Sequence, residues 1–380
     1  MQRELTKNNG GFYSALDADS EGVEGKFYVW SYDEVKKIVG ERSHLFCKYF
    51  DITQEGNWEE NNIPRQLQSF KNFARENDVE EDKLEALLQD GKRRLLAQRQ
   101  TRVKPMLDDK ILLSWNALMN IAYSKAFGAT GNIVYKEAAQ KNMDFLLTEF
   151  GLDDEDLHHT WQHGKAKHPP FLEDYSYLIA ALIELAQVMP DYSYLERAGQ
   201  LVEIVIKKYG DDLGPFFFYT AEGQADILLR KKETYDGATP SANAVMASNL
   251  YKLGILFDNK DWQKRAEGMV IAIGDMPIRY PTSFGVWLSA IYEMLQGTTE
   301  LAIIGDEWEP LLGNIQKYFI PFSIIMASAE SNNQFPLLAN KKKERKTHIF
   351  LCKNYSCQKP LTELKEVLAL IGSNNLISIQ

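Results

Sequence analysis

Polar side chains able to do acid–base or sugar-binding chemistry collect at a few places in the 380-residue chain. Asp108, Asp109 and Lys110 precede an apolar run, and Trp115 and Asn116 lie about a turn and a half inside it. Glu173, Asp174 and Tyr175 open a second run. Asp236, Ser241 and Asn243 stand at the entry to a third. Asp and Ser ahead of a helix are ordinary N-caps, so each cluster alone reads first as capping and packing. Their recurrence at the same place in successive helices is harder to assign to capping. Carboxylates beside Trp, Tyr, Lys and Asn are the vocabulary of a sugar site, where aromatic faces stack on pyranose rings and paired carboxylates move protons. On that reading Asp109 or Asp174 is the general acid or base, because a partly desolvated carboxylate has a raised pKa. Asp17, Asp19, Asp108, Lys110, Trp115, Asn116, Glu173, Tyr175, Asp236, Ser241 and Asn243 would hold the substrate.

Other candidate chemistries are weaker. Asp17, Asp19 and Glu21 have the opening spacing of a calcium loop, but its twelfth position is Tyr28 rather than a bidentate Glu. His158, His159, His163 and His168 share one loop that has no Cys and no evident supporting shell, so no metal site is expected there. Cys352 and Cys357, spaced C-x4-C without a second pair, read as structural thiols. With Cys47 they make three cysteines, too few for a disulfide framework and in keeping with a reducing cytoplasm. Walker, dinucleotide-binding, G-x-S-x-G, H-E-x-x-H and C-x-x-C motifs are absent, and no cofactor is expected.

The elements that must position these residues are helices of two kinds. Segments 109–128, 173–189, 241–257 and 282–296 are apolar on most sides, as a fully buried helix is. Segments 132–150, 194–209 and 261–273 carry a single apolar stripe. Alternation of buried and half-exposed helices predicts an inner ring wrapped by an outer one, an α/α toroid of helical hairpins. The long loops, 10–30, 151–172 and 210–240, enter the inner helices, and on a toroid they would share one face. Ser31 to Glu34 has capping-box spacing and predicts a helix through Val39, and 82–101 reads as another helix. After about residue 297 the pattern changes to strands at 301–305, PFSIIMAS and 347–352, with helices at 307–318 and 361–371. This is a small α/β unit whose strands could be parallel. The expected domains are therefore 1–297 and 298–380.

Composition narrows the class. Hydrophobic residues make up 44% and charged residues 25%, ordinary for a globular chain. A net charge of −10 disfavours nucleic acid or anionic membranes as partners. Neither a transmembrane stretch nor a signal-peptide core is evident, which points to a cytoplasmic protein.

Several long strings appear in order: GGFYSALDADSEGVEGKFYVW, KPMLDDKILLSWNALM, FLEDYSYLIAALIEL, YDGATPSANAVMASNLYKLG and HIFLCKNYSCQKPLTE. They resemble the thioredoxin-domain proteins of the spermatogenesis-associated protein 20 type, over nearly the whole chain. The resemblance implies a mainly α, (α/α)6-type six-hairpin barrel similar to N-acylglucosamine 2-epimerases and six-hairpin glycosidases, followed by a small C-terminal α/β subdomain. It also implies a barrel incomplete at its N-terminus, without the family's thioredoxin-like domain, so no thioredoxin-type redox site carries over. Two functions stay open. One is a sugar epimerase, isomerase or glycosidase. The other is a non-catalytic sugar-binding or interaction module serving a thioredoxin-like partner. A third outcome is an inert fragment whose exposed helix flanks favour association.

Overall fold

The computed structural model describes residues 1–151, 157–224, 227–372 and 377–378. Residues 152–156 and 225–226, inside two of the long loops, lie outside that description. The chain divides into two compact units, Ala15–Asp109 and Met1–Ser14 with Lys110–Gln380. The expected 297/298 boundary falls within the larger unit.

The smaller unit holds α1 (Tyr32–Val39), α2 (Ser43–Tyr49), α3 (Phe70–Glu76) and α4 (Glu81–Arg99) around a core that includes Phe46, Phe73, Leu84 and Leu88. Ser31 caps α1 as its spacing predicts, accepting from the Glu34 amide at 3.2 Å. Arg102 fastens the loop before α1. Its guanidinium lies 3.9 Å from the Trp30 ring centroid, donates to the Phe27 and Val29 carbonyls, and pairs with Glu34 at 2.9 Å. Asp17 and Asp19 are exposed in the loop of this unit, and Asp108 pairs with Ala15 in a two-residue antiparallel ladder.

The larger unit is built from antiparallel helix pairs: α5 (Leu113–Thr130) with α6 (Ile133–Glu149), α7 (Leu172–Val188) with α8 (Ser193–Tyr209), and α9 (Ala242–Leu256) with α10 (Lys260–Ile273). After the short α11 (Met276–Arg279), α12 (Gly285–Gln296) completes the series. The turns follow from local chemistry. Gly131 takes the left-handed conformation that ends α5, and Asn132 caps α6 by accepting from the Val134 amide. Asn259 repeats this at the start of α10. α5 packs on α7, α7 on α9 and α9 on α12, while α6, α8 and α10 each back one inner helix. The result is a curved double layer of the α/α-toroid type. Among the described residues no helix is long and apolar enough to cross a membrane.

Past α12 come strand Thr299–Ile304, α13 (Trp308–Gln316), strand Ser323–Ser328, strand His348–Lys353 and α14 (Leu364–Ile371). The sequence left open that these strands are parallel. Ser323–Ser328 does run parallel to Thr299–Ile304, joined through the crossover helix α13, but His348–Lys353 pairs antiparallel on its other side. The segment 329–347 that leads to it contains no helix, so it lacks the usual crossover of a parallel connection. A correction concerns the cysteines: Cys352 and Cys357 form a disulfide rather than two thiols. Asn354 and Tyr355, both at positive φ, make a tight turn that sets the two cysteines directly opposite each other, with Cα atoms 3.9 Å apart. Alkylation in denaturant without reductant should therefore label one cysteine, Cys47. Labelling of all three would contradict the bond.

A buried asparagine network locks the first hairpin. Asn116 accepts from the Phe12 amide at 2.8 Å and donates to the Phe12 and Leu112 carbonyls. Asn142 on α6 donates to Asn116 and to the Gly10 carbonyl, and Asn120 donates to Asn142 and to the Ala139 carbonyl. Glycine is required where the N-terminal segment enters this site: a Cβ on Gly11 would stand 2.6 Å from Ile111 and 2.8 Å from Phe145. Replacing Asn116 with Ala strands a buried N–H and its neighbouring carbonyls, and should lower unfolding stability by roughly 2–4 kcal/mol. Urea denaturation measures this, and a loss under about 0.5 kcal/mol would dismiss the network as a stabilising element.

Candidate functional site

The long loops bring polar groups together at the N-terminal ends of α7 and α9. Glu173 and Asp174 fall in the first turn of α7, where the helix dipole favours negative charge. Asp174 is fully buried. It accepts from the Ser114 amide at the start of α5 (3.1 Å), from the Phe171 amide (2.9 Å) and from His159 Nδ1 (2.9 Å). His159 belongs to the hairpin that precedes α7. Its amide donates to the His168 carbonyl, and its carbonyl accepts from Leu113, so backbone bonds fix the ring's position on both sides. Because a carboxylate only accepts, the Nδ1–H donates to Asp174 and the neutral ring presents Nε2 as its acceptor.

Burial by itself would lower the His159 pKa, but the hydrogen bond and charge of Asp174, aided by Glu173, carry it above the usual histidine value. Glu173 is half-buried and its pKa is raised, first by burial and then by the charge of Asp174. The charge of His159 works against that rise. Burial also raises Asp174, against the pull of its donors. The surround is aromatic. Phe171 stacks on Tyr219 with centroids 4.8 Å apart, and His159 meets Phe171 edge-on at 4.9 Å. The Tyr177 hydroxyl donates to the Pro240 carbonyl, and burial pushes its pKa up to about 12. Beside Glu173, a cavity of about 50 Å³ is lined by Tyr219, Glu233, Tyr235 and Thr239.

The expected substrate-holding residues divide into groups. Asn116 and Asn243 are backbone clamps. Asn243 accepts from the Phe217 amide and donates to the Phe217 and Glu233 carbonyls, as Asn116 does with Phe12 and Leu112. Each fastens an aromatic segment of an adjoining loop, and Asn243 also lines the mouth cavity. Asp236 bridges two helix N-termini, accepting from the Ser241 amide (2.8 Å) and the Val286 amide (3.0 Å). Ser241 caps α9 through the Ala244 amide. Tyr175 has no exposed surface and packs against Tyr209, so it cannot reach a solute. Glu173 faces the cavity, Trp115 is 47% exposed on α5, and Lys110 is exposed at the start of the larger unit. Asp17, Asp19, Asp108 and Asp109 belong to the smaller unit. His159 was missed because only its loop-mates, and not its position, suggested chemistry. The signal available was its place immediately before the strand Thr160–Gln162, in the loop that leads to the Glu173–Asp174 helix start. Among the described residues no group of three or more His, Cys, Asp or Glu is arranged to hold a metal.

These features define a class: a helical-hairpin protein of the α/α-toroid type with a histidine–carboxylate mouth at the starts of its inner helices. Within that class, the chain is homologous to spermatogenesis-associated protein 20. It is 28% identical to the rat and human proteins over 417 residues, covering 98% of this chain and 53% of each relative. An uncharacterized protein of Caenorhabditis elegans is 25% identical over 98% of this chain and 56% of its own length. The chain thus spans about half the length of the curated relatives it matches. No protein-family model matches it. Solved structures with related folds include a GH76 alpha-mannanase of Bacteroides thetaiotaomicron (TM-score 0.42, 12% identity, 51% of this chain and 55% of that one). A cellobiose 2-epimerase of Bacillus thermoamylovorans is another (TM-score 0.38, 14% identity, 72% and 68%).

The raised His159 pKa has a defined consequence for stability. A histidine whose folded pKa lies above its unfolded value, about 6.5, stabilises fully below that pH, and the contribution is lost as pH rises through the folded pKa. The melting temperature should therefore fall as pH rises above about 6.5, and His159→Gln should flatten that fall. An unchanged pH profile in the variant would show that the pair does not titrate with folding.

Proposed function

We propose that the mouth carries out proton transfer on a polyhydroxylated, sugar-like substrate, as an epimerase or isomerase does. His159 Nε2 removes a proton from the carbon next to the substrate's carbonyl, while Glu173, in its acid form, gives a proton to the carbonyl oxygen. In the enediol that results, His159 delivers its proton to the former carbonyl carbon while Glu173 takes the proton of the other hydroxyl, which becomes the new carbonyl. The sugar is thereby isomerised and both residues are restored; return of a proton to the original carbon on its opposite face gives the epimer. Asp174 positions the imidazole and stabilises its charged form, the part a buried carboxylate plays behind a catalytic histidine. The observation that carries this reading is the His159–Asp174 pair beside a half-buried glutamate of raised pKa. It moves the acid–base role expected of Asp109 or Asp174 to His159 and Glu173. The carbohydrate class rests on the polar and aromatic character of the mouth.

The test is incubation with reducing sugars in D2O, following deuterium entry at the carbon beside the carbonyl by NMR. Exchange should occur with one sugar class and drop by roughly 10²–10⁴-fold in His159→Gln and in Glu173→Gln, with melting preserved. Exchange that persists in both variants would remove them from the chemistry. Absence of exchange across aldoses, ketoses and N-acyl amino sugars would defeat the catalytic reading.

One observation favours the second reading, a non-catalytic sugar-binding or interaction module serving a thioredoxin-like partner. The mouth cavity, at about 50 Å³, has room for roughly one or two waters and not for a sugar ring. The observation favours the interaction-module form of that reading, which expects stable association with a thioredoxin-like polypeptide and no exchange.

A further inference from the structure

The inner helices carry a second polar cluster at their other ends. Lys125, Glu184, Lys252 and Glu293 lie on α5, α7, α9 and α12, roughly 12–18 Å along from the helix starts at about 1.5 Å per residue. They surround a cavity of about 590 Å³ that the segment Tyr318–Ser323 helps to line. That segment is pinned to α7: Gln316 Nε2 donates to the Gln187 carbonyl at 2.7 Å, and the Ile325 amide donates to Gln187 Oε1 at 3.1 Å. Phe322 meets Tyr292 edge-on with centroids 5.4 Å apart. The cavity is therefore bounded by fixed elements, and its volume is that of a small-molecule site.

Its charges alternate. Lys125 pairs with Glu184 at 3.1 Å. Lys252 lines the cavity, and among the described residues its ammonium has no ion pair within 4.0 Å and no hydrogen bond. Burial works against its charge, but Glu293 and Glu184 act close enough to keep it protonated. Glu293 is buried, with a pKa raised by that burial. Ser248 and Ser289 add hydroxyls to the lining.

We propose that this cavity is a second ligand site, distinct from the mouth, which takes a neutral polyhydroxylated molecule of one or two rings. The argument is donor–acceptor complementarity. An ammonium only donates, and a carboxylate only accepts. A hydroxyl does both, so adjacent hydroxyls can accept from Lys252 while donating to Glu184 or Glu293. An anion drawn to Lys252 would meet two carboxylates, and a cation drawn to those carboxylates would meet Lys252 and Lys125. Alternating charge therefore selects against ions of either sign, and the apolar lining from Val286, Ala290, Ile320 and Phe322 suits the C–H faces of a ring. The proposal does not depend on catalysis at the mouth.

Saturation-transfer NMR on the full chain tests it, with maltose as the neutral probe, citrate as the anion and spermidine as the cation. Transfer to maltose is expected. It should fall at least tenfold in Ser248→Leu and in Ser289→Leu, which narrow the cavity without changing charge. Ser289 is at an exposed position, so that variant keeps the fold even where the other melts early. Lys252→Met should weaken maltose to a similar degree. The proposal is overturned if maltose gives no transfer, if citrate or spermidine binds in its place, or if both leucine variants bind maltose normally. Loss of binding in Glu173→Gln with the leucine variants unaffected would put maltose at the mouth and overturn it as well.

Discussion

A fully buried carboxylate, Asp174, is the constraint around which the mouth is organised. Its oxygens accept from the start of α5, from the residue that enters its own helix and from His159. An unpaired charge at such depth would cost several kcal/mol, so the three elements must arrive together for the carboxylate to be tolerated. One side chain thus couples the packing of two inner helices to the orientation of an imidazole. The same contact that closes the fold fixes which nitrogen of His159 faces outward.

The asparagine clamps extend this logic. Asn116 and Asn243 hold the backbone of aromatic loop segments at Phe12 and Phe217, and Asp236 ties the N-termini of α9 and α12. Buried polar groups of this kind add little net energy when satisfied and cost a great deal when broken, so they act mainly to specify one arrangement. Several residues that resemble substrate ligands in a linear reading thus serve the scaffold of the mouth, while Glu173 lines its cavity and His159 is held by Asp174. Chemistry and architecture use the same residue types at the same helix ends because both need groups that answer an unsatisfied backbone N–H.

The long helices were legible, whereas the short α2, α3 and α11 were not, because four to seven residues carry too little periodicity. The all-round apolarity of 173–189 can be accommodated only by burial on every side, and the single stripe of 194–209 only by a half-exposed surface layer. The expected ends of α1, α6, α8 and α10 match closely because Ser31, Asn132 and Asn259 cap three of them locally. The start of α5 was misplaced: residues 111–112 form a strand that pairs with Thr160 and Trp161, a partner remote in sequence. For the same reason neither the antiparallel His348–Lys353 nor the disulfide was foreseen. Strand direction depends on how the chain returns, and the C-x4-C spacing becomes a bond only when residues 354–355 adopt a tight turn.

By itself the sequence determined the succession of buried and half-buried helices, the caps that delimit them and the gathering of polar residues at the inner-helix starts. These are consequences of periodicity and of nearest neighbours, which a linear chain carries in full. Tertiary structure decided which polar groups meet. His159 reaches Asp174 across 15 positions and Asn116 reaches Phe12 across 104, while Lys252 and Glu293 come together from separate helices. Such pairings arise from three-dimensional packing, where burial sets both the cost of a polar group and the partner that must satisfy it, and no local spacing encodes that choice.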